Sequence, residues 1–146
     1  MKKVLIFICI IGFGINLKAQ TPVSNSHIDA RLYDVFSEEY LTNMQNSEVD
    51  EIEYWNWYLD NSYTIYENIP LEKCEGLPYL KYFDPKTKTE GGIVEDVDPE
   101  NFNIFLYSVE PRYNVDSKYR IGNSNKVLSF ESVKRLTEMY NEFLKK

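Results

Sequence analysis

Apolar residues recur along this chain with two different periods, and the change from one to the other sets the expected fold. From Ile28 the spacing is helical. Ile28, Leu32, Val35 and Phe36 share one face, widened by Tyr33 and Tyr40, while Arg31, Asp34, Ser37 and Glu38 fall opposite. This predicts a first helix ending near Asn43 to Asn46. Ser47 then has the chemistry of a helix N-cap, its hydroxyl able to accept a first-turn backbone N–H. Glu48, Asp50 and Glu51 follow, where the positive end of the helix dipole favours carboxylates. The second helix is expected to run to about Asp60. At about 100° per residue, Ile52, Trp55 and Leu59 cluster on it. Tyr54 and Trp57 do not join them; they project among Asp50 and Glu53, on the expected solvent side.

Strand-like segments follow. Tyr63 to Tyr66 sets β-branched Thr64 and Ile65 between aromatics, and Tyr79 to Phe83 is a short candidate. Pro70, Gly76 and Pro78 punctuate the segment between them. Asp84 to Asn101, with Pro85, Gly91, Gly92 and Pro99, is expected to be a long loop with a brief strand at Ile93 and Val94. Phe102 to Val109 is a further expected strand, ended by Glu110 and Pro111. Lys118 to Ile121 and Lys126 to Phe130 bracket Gly122-Asn123-Ser124-Asn125, residue types that tolerate the positive φ of a tight hairpin. Ser132 caps a last helix whose Val133, Leu136, Met139, Tyr140 and Phe143 lie in one arc.

Helix, helix, strands, helix is the pattern of an α+β domain. The expectation is an antiparallel sheet of about four strands, with two N-terminal helices and one C-terminal helix packed on it. Its core should contain Ile52, Trp55, Leu59, Ile104, Leu106, Val127, Leu128, Leu136, Tyr140 and Phe143.

The first residues follow a third pattern. Lys2 and Lys3 precede an apolar run from Val4 to Ile15, and Ala19 offers a small residue for cleavage. The run is shorter than the roughly 20 residues of a spanning helix. Residues 1–19 are therefore expected to be a secretory signal peptide, 20–27 a flexible lead-in and 28–146 a single domain. Gln20 stands where a lipoprotein would need cysteine. Export to the periplasm or the extracellular space follows, with no stable membrane insertion after processing. Cys74 would then be the one remaining cysteine, with burial its expected fate.

Charge narrows the partners. The chain carries 23 acidic and 16 basic residues; without Lys2, Lys3 and Lys18 the balance is 13 basic against 23 acidic, a net of −10. Such a surface repels phosphate backbones and anionic membranes, so nucleic acid is not an expected partner. A basic protein or divalent cations suit it better.

The segments Leu59-Asp60-Asn61-Ser62-Tyr63, Tyr119-Arg120-Ile121-Gly122-Asn123 and Lys126-Val127-Leu128, with the Ala19-Gln20 junction, give the chain a resemblance to small exported proteins of Bacteroidota. That resemblance implies export and one compact domain. It transfers no activity and no functional residue.

No catalytic constellation emerges from the residue types. His27, the single histidine, falls at the lead-in, where a general base would be poorly held. Cys74 lies between Lys73 and Glu75, whose charges offset. Glu67 and Glu110, at strand ends, are the nearest approach to a glycosidase carboxylate pair. Asp96, Asp98 and Glu100 alternate like the start of a calcium loop, but Pro99 intrudes, Asn101 replaces the turn glycine and Tyr107 stands at the bidentate Glu position. The expectation is no enzyme, no cofactor and no metal site.

Aromatic residues are the remaining signal, with 12 tyrosines in the chain and both tryptophans on one helix. Tyr54 and Trp57 are the candidate ligand- or partner-binding residues, on what would be an exposed aromatic face. The favoured arrangement of the helix, however, is that the sheet or the last helix covers that face too. The function expected is that of a small cell-envelope protein that binds an envelope protein or a glycan; the second reading is a carbohydrate-binding module using Tyr54 and Trp57.

Overall fold

The computed structural model describes residues 27–146. The expected signal peptide and almost all of the lead-in lie outside the described residues. The described chain is mixed α+β, with antiparallel sheets.

A 3₁₀ turn over Ala30–Asp34 comes first, capped by Asp29, whose Oδ1 accepts from the Arg31 N–H at 2.9 Å. Helix α1, Glu38–Ser47, starts afresh after it. The continuous helix expected from Ile28 is therefore broken, and the reason is local. Ser37 takes an extended backbone and its hydroxyl accepts from the Tyr40 N–H at 3.2 Å, so it caps a new helix instead of continuing the old turn.

Helix α2, Val49–Asn61, follows after one residue, Glu48. The expected cap at Ser47 is not made. The Ser47 hydroxyl donates back to the Asn43 carbonyl at 2.7 Å, so it belongs to the end of α1.

Strand β1, Tyr63–Tyr66, lies as expected. After the short helix α3, Leu71–Cys74, come strands β2, Lys81–Asp84, and β3, Thr89–Ile93. The expected long loop thus contains most of a hairpin. Asp84 builds its turn by accepting from the N–H groups of Lys86 and Thr87 at 2.8 and 3.3 Å.

The strand expected over Phe102 to Val109 is absent. Asn103 diverts the chain: its Oδ1 accepts from the Phe105 N–H at 3.2 Å, and Ile104–Leu106 turns as a 3₁₀ segment. Its amide group also donates to the Arg31 carbonyl at 2.9 Å. Only Tyr107 retains strand-like pairing, an isolated bridge to Tyr82.

Strands β4, Ser117–Arg120, and β5, Val127–Phe130, form the expected hairpin, and helix α4, Val133–Phe143, is capped by Ser132.

The expected four-stranded sheet is two sheets. One has the order β1-β5-β4, the other pairs β2 with β3. Every residue of β5 is buried, as suits a central strand covered on both faces. The backbone of Pro78 to Leu80 joins the sheets: the Leu80 N–H donates to Arg120 at 2.8 Å and the Leu80 carbonyl accepts from Val94 at 2.9 Å.

One apolar cluster joins the helices to the three-stranded sheet and to Leu80 and Val94, which flank the small one, and Ile52, Trp55, Leu59, Ile104, Leu128 and Leu136 lie in it as expected. Val127 is buried too. Three expected core residues depart. Leu106 and Tyr140 are half-buried, and Phe143 is 37% exposed. Leu106 loses its strand alternation in the 3₁₀ turn, and the other two sit where α4 runs out over the rim of the core.

Arg31 clasps the first turn onto this core. Its guanidinium reaches Asp29 at 2.8 Å, Asp60 at the end of α2 at 2.5 Å and the Phe102 carbonyl at 3.1 Å. At the other end of the fold, Gly122 adopts φ +49, and a Cβ there would overlap the backbone of Glu95. Gly122→Ala should therefore lose at least about 1–2 kcal/mol from the left-handed backbone alone. Gly76, with open space around it, is the control: Gly76→Ala should change stability by no more than about 0.5 kcal/mol. Urea denaturation of the two variants tests the contrast.

Candidate functional site

Tyr54 and Trp57 do not form a solvent face. Trp57 is 8% exposed and Tyr54 is half-buried. Helix α4 covers them: the Tyr140 ring meets Tyr54 edge-on at 4.8 Å between centroids and tilts against Trp57 at 5.0 Å, and Phe143 packs on Trp57 at 6.3 Å. Desolvation in this cluster, followed by the neighbouring Tyr140, pushes the Tyr54 phenol up to about 12. Of the two arrangements open to this face, cover by the last helix is the one found, and the exposed aromatic surface required for Tyr54 and Trp57 as binding residues is corrected by the arc of α4 that ends in Tyr140 and Phe143.

The other face of α2 is packed as well. Trp55 meets Phe105 at 5.5 Å and Phe36 at 6.1 Å, and Tyr58 stacks on Phe105 at 5.5 Å.

The remaining candidates separate. His27 is exposed and holds α2 only through its backbone carbonyl, which accepts from the Asn56 side chain at 2.5 Å. Cys74 is buried in α3, its Sγ donating to the Pro70 carbonyl at 3.6 Å, so the lone thiol has the expected burial. Glu67 lies 3.8 Å from Lys126, while the Glu110 backbone bonds to Tyr119 and Ser117. The β4–β5 pairing sets those two positions at opposite ends of the hairpin.

In the Asp96 to Glu100 segment the carboxylates serve the protein's own groups. Asp96 meets the Lys126 ammonium at 2.7 Å, which with the Val97 N–H holds its carboxyl below the usual range. Asp98 caps the turn at Pro99–Asn101, accepting from the Glu100 N–H at 3.0 Å and the Asn101 amide at 2.6 Å. Among the described residues no group of three or more His, Cys, Asp or Glu side chains is arranged to hold a metal ion. Among them, too, no helix is long and apolar enough to cross a membrane.

Two features escaped the sequence. The first is Glu131, a buried carboxylate between β5 and α4, with Arg135 Nε 2.9 Å from its Oε2. Burial, and then the nearby charge of Asp116, raise its pKa.

The second is an aromatic column that reaches the surface at the small sheet. Tyr63 packs on Phe102 at 4.6 Å, Phe102 stacks on Tyr107 at 4.5 Å with an interplanar angle of 3°, and Tyr107 stacks on Tyr82 at 5.8 Å. Tyr82, at the outer end, is 47% exposed. On the opposite face of the same sheet the Glu90 carboxylate joins Lys81 at 2.7 Å and the Ser108 hydroxyl at 2.9 Å. The rings themselves were visible at Tyr79, Tyr82 and Phe83 and at Phe102, Phe105 and Tyr107, but their pairing depends on a bridge between Tyr82 and Tyr107 that neither segment announces.

Two measurements follow. Trp57→Ala should destabilise the domain by roughly 3–5 kcal/mol, as truncation of a packed aromatic does; a melt within about 0.5 kcal/mol of wild type would mean the α4 contact carries little. Glu131 binds its proton more tightly when folded, so its contribution is fully present below the unfolded pKa and is lost as pH rises through the folded one. Glu131→Gln should therefore gain stability at neutral pH, and the gain should shrink as pH falls through the raised folded pKa and be gone below the ordinary glutamate range. Urea midpoints across that range check the slope.

Compared with known protein families, with curated proteins and with solved structures, the chain has no significant match.

Proposed function

We propose that this is an exported cell-envelope protein, resident in the periplasm or outside the cell, that acts by binding another macromolecule and not by catalysis. The observation that supports binding is the aromatic column ending at Tyr82. An exposed tyrosine ordinarily has rotamer freedom to lose when it meets a partner. Tyr82 is braced on one side by Tyr107, itself stacked on buried Phe102. An amphipathic ring held in place offers contact area at low entropic cost.

A glycan is the second reading, now with a different address. Tyr54 and Trp57 have their rings packed against Tyr140 and Phe143. Tyr82 and Tyr107 instead stack at 5.8 Å with Tyr82 47% exposed, while Glu90, Ser108 and Lys81 join on the opposite face of the same sheet. An amphipathic ring open to solvent is the kind of surface on which a sugar packs.

Export is tested by N-terminal sequencing of envelope material, which should begin at Gln20; an intact Met1 on cytoplasmic protein would refute it. The binding surface is tested by Tyr82→Ala. The melt should match wild type, while capture of the partner from envelope fractions, or of glycans on an array, should weaken about tenfold or more. Unchanged binding would remove Tyr82 from the contact surface.

A further inference from the structure

The register of the three-stranded sheet sets two cations on the face turned away from the core. Tyr119 of β4 and Leu128 of β5 pair with one another, and both enter the apolar cluster. Side chains alternate along a strand, so Arg120 and its partner Val127 turn to the other face, and Lys118 turns with them. Tyr79 continues the row beyond β4 through its bridge to Arg120. The Arg120 guanidinium lies over the Tyr79 ring, 4.5 Å from its centroid. Lys118 is exposed, and Tyr79 is 37% exposed.

Nothing in the described chain answers these two charges. The protein has 23 acidic residues against 16 basic ones, and Arg31, Lys81, Lys126 and Arg135 each meet a carboxylate. Among the described residues no ion pair reaches Arg120 or Lys118. The Arg120 Nε is buried and has no hydrogen-bond acceptor. A buried donor left unpaired costs more than an ordinary hydrogen bond gains. Tyr79 fixes the plane of the guanidinium but takes none of its N–H groups in that plane, so the Nη groups are left to whatever reaches them. An oriented, half-buried cation with an ammonium two residues away on the same face is an anion site in form.

Charge and topology narrow the anion. The described chain has a net charge of −10, which repels nucleic acid and other polyanions of phosphate and favours a single carboxylate. Neither edge of β4 is free at this point: β5 pairs with one side, and on the other Arg120 bonds the backbone of Pro78 and Leu80. An extended peptide therefore finds no main chain to join. A sugar acid needs none, since its carboxylate meets the cations and its ring packs on the exposed part of a tyrosine.

We infer that Arg120 and Lys118, with Tyr79 as the platform of the guanidinium, bind the carboxylate of an acidic sugar on the outer face of the three-stranded sheet. This site is separate from the surface at Tyr82.

Titration calorimetry with short oligomers tests the assignment: galacturonate, mannuronate, methyl-esterified galacturonate and glutamate. At least one of the two uronates should bind, more weakly as salt rises, and the ester and the glutamate oligomer should bind at least about tenfold more weakly. Arg120→Gln and Lys118→Gln should each weaken the uronate about tenfold, while Tyr82→Ala should bind it unchanged. Lys118 is exposed, so Lys118→Gln should melt like wild type and reads the site even where Arg120→Gln disturbs the fold. The assignment is overturned if neither uronate binds, or if the ester or the glutamate oligomer binds as tightly as the uronate. It is equally overturned if Lys118→Gln binds as wild type does, or if Tyr82→Ala weakens the uronate as much as Lys118→Gln.

Discussion

Helix α2 has almost no free side, and most of the structure is arranged around that constraint. Trp55 and Tyr58 face Phe36, Phe105 and Phe130, while Tyr54 and Trp57 face Tyr140 and Phe143. Large rings on both faces need elements on both faces to exclude water from them. The Ile104–Leu106 turn and β5 supply one cover, α4 the other. The Arg31 clasp then ties the start of the described chain to the last turn of α2 through Asp60. Acidic residues are left to the narrow strip that solvent still reaches, which is why Asp50, Glu53 and Asp60 are exposed on an otherwise enclosed helix.

How far the sequence revealed this depended on whether a segment's structure was decided locally. Helix α4, the β4–β5 hairpin and β1 were legible because each has a matching period and matching end residues within its own span, such as Ser132 for α4 and the Gly122 to Asn125 turn for the hairpin. Two serines were misjudged because a hydroxyl near a helix end can serve either side. Ser37 caps the helix ahead of it, whereas Ser47 bonds the helix behind it. Phe102 to Val109 has strand-like residues, yet Asn103 finds partners in Arg31 and Asp34, 72 and 69 residues away, and no local window contains them. The β2–β3 hairpin was obscured for the opposite reason. Its Thr89-Glu90-Gly91-Gly92 stretch has little β-propensity, and its pairing with β2 forms it all the same.

The binding candidates divide in the same way. The sequence could show that Tyr54 and Trp57 lie off the main apolar stripe of α2, but not that α4 returns to cover them, since that contact spans most of the chain. The Tyr82–Tyr107 pair was hidden because it joins a strand to an irregular segment. The acid-rich character of the N-terminal helices was open to inspection throughout. What the fold adds is the packing of the two helices on one another, with a single residue, Glu48, between them.

The two tryptophans also make the domain its own optical reporter. They sit two positions apart on one helix yet in different surroundings. Trp55 has its indole N–H on Glu51 and its ring against Phe105, whereas Trp57 lies under Tyr140 and Phe143. Indole emission moves to longer wavelength as water gains access to the ring. Lifting α4 alone would therefore shift the emission of one indole and leave the other in place, while loss of the whole core would shift both. With either tryptophan replaced by phenylalanine, a steady-state spectrum separates partial opening at the α4 edge from global unfolding.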